Sequence, residues 1–125
     1  MNKVELEVAF QDERGEITDL IENEEISAIT RITFTRDAVR ANHYHKKTWQ
    51  WNYIISGEIL LATRMPGEEK KEAVMAAGEL YVTVPDEEHA LKCLSDTADL
   101  LVFTKGPRAG KEYQSDTYRL DTPLL

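Results

Sequence analysis

The stretch His43-Tyr44-His45-Lys46-Lys47-Thr48-Trp49-Gln50-Trp51-Asn52-Tyr53-Ile54-Ile55-Ser56-Gly57 decides how this chain is read. Trp49 to Ser56 is rich in aromatic and β-branched residues and reads as a strand, broken by Gly57. His43 to His45 reads as extended chain, where two imidazoles at i and i+2 leave the same face and can grip one metal ion. Gln50 follows His45 by five residues. In an unbroken strand that odd offset sends Gln50 to the opposite face. A bend at Lys46-Lys47-Thr48 lets Gln50 begin a neighbouring strand and return to the histidine side, together with Asn52 and Ile54.

The rest of the sequence continues in short strands. Upstream, Val4, Leu6, Val8 and Phe10 alternate with polar residues as one strand, and Asp12-Glu13-Arg14-Gly15 is a turn. Glu16 to Ile21 is a short strand, and Ile26 to Thr35 is a β-branched one. Downstream, Ile59 to Arg64, Leu80 to Val84, His89 to Leu94 and Leu100 to Thr104 are strands, with Met65-Pro66-Gly67-Glu68 and Pro85 as stops. Glu68 to Ala77 has the composition of a helix, with Gly78 as its end. A lone two-turn helix is marginal, so a strand at Ala73 to Ala77 is expected instead. Many short strands with regular turns predict an all-β closed barrel or sandwich.

Composition sets limits. The 125 residues suit one domain, here 1–125, with a core over 26–104 and a C-terminal arm over 105–125. Lys plus Arg is 15 against 23 for Asp plus Glu, a net charge of −8 that argues against nucleic acid or an anionic membrane as partner. No apolar run reaches the roughly 20 residues of a membrane span, and the acidic N-terminus is unlike a signal peptide, so a cytoplasmic protein is expected. Cys93 is the only cysteine, which rules out an intrachain disulfide and a thiolate zinc cluster. It lies four residues along the strand from His89, about 13 Å, and reads as a small buried hydrophobe.

Two segments resemble the cupin superfamily. His43, His45, Gln50 and Gly57 match the spacing of its first motif, with Gln50 where the family has Glu. Gly78, Pro85, His89, Ala90 and Leu91 resemble its second motif. The resemblance implies a double-stranded β-helix, a small jelly-roll barrel, with one divalent metal ion in its mouth. Carried over residue by residue, the ligands are His43, His45, Gln50 and His89, with zinc, nickel, manganese and iron all open as the ion. In a cupin that has lost its metal the same histidines are polar pocket lining. Arg40-Ala41-Asn42-His43 also resembles the Arg-Gly-x-His segment of cupins acting on nucleotide-linked sugars, as does Arg14-Gly15 an early Arg-Gly strand. In the epimerases among them the Arg binds substrate and the His acts as base, roles that fall here on Arg40 and His43. Tyr44 and Tyr53, beside the motif, are further candidate proton-transfer groups.

With three imidazoles and a neutral amide, a divalent ion keeps its full charge. It is then a stronger Lewis acid and harder to oxidise than with a glutamate ligand. The expected function is metal-assisted isomerisation or epimerisation of a sugar-like or other oxygenated small molecule. The alternatives are an iron-dependent dioxygenase and a non-catalytic ligand-binding or sensor protein. If Gln50 and Asn52 face the pocket, Trp49, Trp51, Tyr53 and Ile55 face outward. That aromatic row calls for a cover. A second subunit is expected to supply it, making a homodimer; the C-terminal arm with Tyr113, Tyr118, Leu124 and Leu125 is the other way to cover it.

Overall fold

The computed structural model describes residues 2–107 and 114–125. Twelve strands are formed among them: β1 (Asn2–Val4), β2 (Val8–Asp12), β3 (Gly15–Thr18), β4 (Ala28–Thr35), β5 (Val39–Tyr44), β6 (Trp49–Ser56), β7 (Glu58–Arg64), β8 (Lys71–Ala76), β9 (Leu80–Thr83), β10 (Glu88–Cys93), β11 (Thr97–Lys105) and β12 (Tyr118–Arg119). One five-stranded antiparallel sheet has the order β1-β9-β6-β11-β4 and the other β12-β5-β10-β7-β8. This is an all-β jelly roll, as the resemblance implies. No helix among the described residues is long and apolar enough to cross a membrane.

Alternation builds the core. Along β11, Ala98, Leu100, Val102 and Thr104 are buried while their neighbours are not. Ala98, Leu100 and Val102 meet Phe34, Ile54, Ile59, Leu61 and Met75 in one cluster that includes Cys93, fully buried as expected. β8 shows why helix propensity loses. It pairs with β7 along its length, Ala73 opposite Leu61 and Met75 opposite Ile59, and this puts Met75 at 0% exposure. Burying a side chain of that size contributes about 1.5–3 kcal/mol, more than the few tenths per residue at stake in propensity. At Gly57 the backbone has φ +81°, and an added Cβ would collide with the Thr97 carbonyl oxygen and Ala98 Cα, so only glycine fits.

The N-terminus departs from expectation. Val4 to Phe10 is not one strand. Pairing with β9 holds only Asn2 to Val4, because β9 itself is four residues long. The chain then leaves the sheet, and β2 pairs with β3 as a separate hairpin. Its Val8, Phe10 and Ile17 stand 47%, 53% and 59% exposed. The early Arg14-Gly15 lies in this hairpin, where Arg14 pairs with Asp12 at 2.6 Å. On the outer face of β6, Trp49 and Trp51 stack with ring centroids 6.2 Å apart, and Trp49 and Ile55 are exposed. The described part of the C-terminal arm docks elsewhere: Leu124 packs on Ala62 and Ala90, in the opposite sheet. Tyr113 lies outside the described residues.

Candidate metal centre

β5 carries two of the three histidines, and its shape decides which way its side chains point. Opposite β10, His43 pairs with His89 and Arg40 with Leu91, with Ala41 opposite Ala90 and Asn42 left over as an extra residue. Ala41 and Asn42 have φ of 71° and 56°. Asn tolerates this left-handed geometry and Ala does not favour it, which is the physical reason that a glycine suits position 41. The bulge puts Arg40 and His43 on the same side of the sheet although they are three residues apart.

His43, His45 and His89 converge. Their rings are 4.7 to 5.4 Å apart by centroid, and one nitrogen from each lies within 4.8 Å of the others. All three side chains are buried, at 7%, 2% and 3% exposure. His89 Nδ1 faces the Glu87 carbonyl at 3.0 Å, and His45 Nδ1 faces the Asp116 carbonyl at 2.8 Å. A carbonyl only accepts, so both rings carry their proton on Nδ1 and keep the lone pair on Nε2. His43 Nδ1 is buried with no hydrogen-bond partner. Burial, then the neighbouring His89 and His45 and the Arg119 charge, push the His43 imidazole down to about 3. Burial likewise pushes His89 down to about 4, against the Glu87 carbonyl, which favours its protonated ring.

These features fit a divalent ion. Neutral imidazoles with their second nitrogen held by a carbonyl are the donors that zinc, nickel, copper and iron take, and an orphaned buried polar atom is otherwise costly. Donors on one ion at 2.0–2.1 Å lie at most about 4.2 Å apart, so small ring rotations suffice to close the set.

His43 and His89 open into a cavity of about 330 Å³. Its polar wall adds Arg40, Gln50, Asn52 and Arg119, and its apolar wall is Ile32, Leu91, Leu100 and Val102. Gln50 arrives from β6 in the facing sheet, so the bend after His45 resolves the odd offset. Asn52 spends its amide on the Tyr81 carbonyl at 3.2 Å. His45 sits behind the cavity, under Asp116.

Tyr44 and Tyr53, named from the sequence as candidate proton-transfer groups, do not line the cavity. Alternation sends Tyr44 outward, where it stacks on Tyr118 at 5.2 Å, and Tyr53 shares the outward row of Trp51. Arg31 and Arg64 are ion-paired with Asp99 and Glu88. Arg40 and Arg119 have no carboxylate partner among the described residues. Arg40 donates to the Thr33 carbonyl and lies over the Phe34 ring, and Arg119 donates to the Ala41 carbonyl.

Sequence reasoning missed Arg119 and Asp116. Both reach the site from the C-terminal arm, more than 65 residues from their partners, and no local motif marks them. Asp116 is 3% exposed. Its carboxylate accepts from the Lys46 and Lys47 backbone N–H groups at 3.0 Å each and from the Thr48 hydroxyl at 2.6 Å. Burial alone would raise its pKa, but these donors outweigh it and hold the carboxyl below its ordinary range.

Comparison with solved structures finds similar folds. The TDP-quinovose 3,4-ketoisomerase WlaRB from Campylobacter jejuni superposes with a TM-score of 0.76 at 20% identity, over 92% of this chain and 88% of its own. The sugar 3,4-ketoisomerase QdtA from Thermoanaerobacterium thermosaccharolyticum, in complex with TDP, gives 0.72 at 19%, over 96% and 86%. The dTDP-6-deoxy-D-glucose-3,5-epimerase RmlC from Legionella pneumophila gives 0.74 at 12%, over 94% and 71%. At such identities the likeness is one of fold. Comparison with curated proteins gives no match. The family model for the cupin domain matches residues 31–104, which span most of both sheets and all three histidines, and the chain therefore belongs to the cupin family.

Proposed function

We propose that this cupin is a metal-dependent enzyme that isomerises or epimerises an anionic sugar derivative. One observation carries the reading: a buried three-histidine cluster opens through His43 and His89 into a cavity that also holds two arginines with no carboxylate partner among the described residues. His43, His45 and His89 would hold the ion, and Gln50, across the cavity, would complete the set without neutralising its charge. The ion supplies Lewis acidity toward a carbonyl or hydroxyl oxygen of the bound substrate. Arg40 and Arg119 bind and orient the anionic group in a protein whose overall charge of −8 disfavours it elsewhere. Ile32, Leu91, Leu100 and Val102 keep water from the opposite wall. A sugar carrying a phosphate or diphosphate suits this division, and sugar ketoisomerases and an epimerase share the fold.

His43 as a free base is the weaker version of this mechanism. An imidazole held down to about 3 accepts a proton poorly at neutral pH. A second reading, a ligand-binding protein without turnover, is favoured by the cavity lining, which includes no carboxylate and no phenol among the described residues.

With TDP as probe, Arg40→Ala and Arg119→Ala are each expected to weaken binding about 10–100-fold, the loss of one charge-assisted contact. Calorimetry on the cobalt-loaded protein measures this, and equal affinities would remove both arginines from the site. Conversion of a TDP-linked keto sugar, followed by NMR, separates the enzyme from the binding protein. The same reading includes a second copy of the chain, over the exposed Val8, Phe10 and Ile17 of the hairpin and Ile29, Trp49 and Ile55 of the outer sheet face. Light scattering is expected to give twice 14.3 kDa; a monomer at micromolar concentration would overturn the dimer.

A further inference from the structure

The C-terminal arm is tied to the ligand strand on both sides of His45. β12 pairs with β5, Tyr118 opposite Tyr44 and Arg119 opposite His43. The Asn42 side chain accepts from the Leu124 N–H at 2.8 Å and donates to the Leu125 carbonyl at 3.2 Å. The Lys46 ammonium sits 4.4 Å over the Tyr118 ring. Between these anchors, the Asp116 carboxylate gathers the donors of residues 46–48, the turn that leads from His45 to Gln50. The carbonyl of the same residue faces His45 Nδ1. One residue thus shapes the turn that joins two of the expected ligands and sets which nitrogen of His45 keeps its lone pair.

We infer that Asp116 is a positioning residue for the metal centre: its buried carboxylate moors the turn 46–48, and its carbonyl fixes the His45 ring with the lone pair on Nε2. This rests on the metal reading above. The geometry gives the side chain and the main chain of Asp116 separate tasks. Shortening the side chain frees the turn, and the carbonyl then loses its place opposite His45. Partners of this kind on a ligating histidine change metal affinity by about 10–100-fold. Because Arg119 follows three residues later on the same arm, the segment also brings the anion-binding cation to the cavity.

The test uses the full chain and Co(II). In the metal-free wild type, 15N NMR is expected to show His45 as a single Nδ1–H tautomer. Asp116→Ala is expected to give a tautomer mixture, to weaken cobalt binding about 10–100-fold and to alter the cobalt d–d spectrum. Asp116→Asn keeps one acceptor oxygen and is expected to fall between the two, and it serves if the alanine variant does not fold. Tyr118→Ala loosens the arm without touching Asp116, and is expected to lower thermal stability while leaving the tautomer intact. A fixed Nδ1–H tautomer with wild-type cobalt affinity in both Asp116 variants would overturn the inference. If the wild type binds no cobalt, the metal reading falls, and the tautomer of the metal-free variants still decides whether Asp116 positions His45.

Discussion

The His89→Ala chain, mixed with one equivalent of cobalt, is expected to bind it more than about 100-fold more weakly than the parent. Losing an outer partner of a ligand already costs about 10–100-fold, and losing a ligand costs more. His89 is the demanding position to test. It lies opposite both His43 on β5 and Thr63 on β7, so its backbone is held from two sides and cannot shift to let another residue take over. The variant leaves the buried His43 and His45 in place as a two-imidazole remnant. Near-ultraviolet dichroism confirms that it is folded, and absorption titration reads the affinity. Stoichiometric, tight cobalt binding by folded His89→Ala protein would remove the cluster as the metal site.

Acid is expected to unfold the metal-free protein well above the pH at which carboxylates alone would do so. Unfolded histidines titrate near 6.5, whereas His43 and His89 are held down to about 3 and about 4. Between those values the unfolded chain binds protons that the folded chain refuses, so stability falls as pH falls. The loss begins near 6.5 and levels off once the folded histidines also protonate. At pH 4.5 the two together cost on the order of 5 kcal/mol. That is comparable with the whole stability of a domain of this size. Urea midpoints at pH 7 and pH 4.5 measure the effect, and a His43→Gln, His89→Gln double variant is expected to lose most of the difference. Equal midpoints in the parent at the two pH values would contradict it.

Local pattern carried much of this in the sequence. Trp49 to Ser56 stands in the structure with the ends its residues predict, and His43 and His45 leave one face as an i, i+2 pair must. The helix-like Glu68 to Ala77 was legible as a strand only because its neighbours were strands, and Met75 in the core shows what decided it. Other features had no local signal. Alternation in Val4 to Phe10 is the same whether a partner strand is present or has ended. Nothing near Asp116 or Arg119 announces a contact with residues some seventy to eighty positions earlier. The sidedness of Tyr44 was readable from parity alone: it sits between two inward histidines and so points out.

Parity also gives the extra residue on β5 its meaning. A pleated strand has a phase, in or out at every position, and a substitution leaves that phase untouched. Only an insertion or a deletion changes it. Asn42 is one such inserted beat: upstream of it, Arg40 faces the cavity; with the beat removed, Arg40 would keep its place in the chain but change sides relative to His43. The displaced residue is not idle, since its side chain holds Leu124 and Leu125 at the chain's far end. Relatives with other side chains around the cavity can therefore keep the same positions facing it, whereas one that lacks a single residue between Arg40 and His43 would face a different problem. Its arginine would point to the solvent and its C-terminus would lose an anchor.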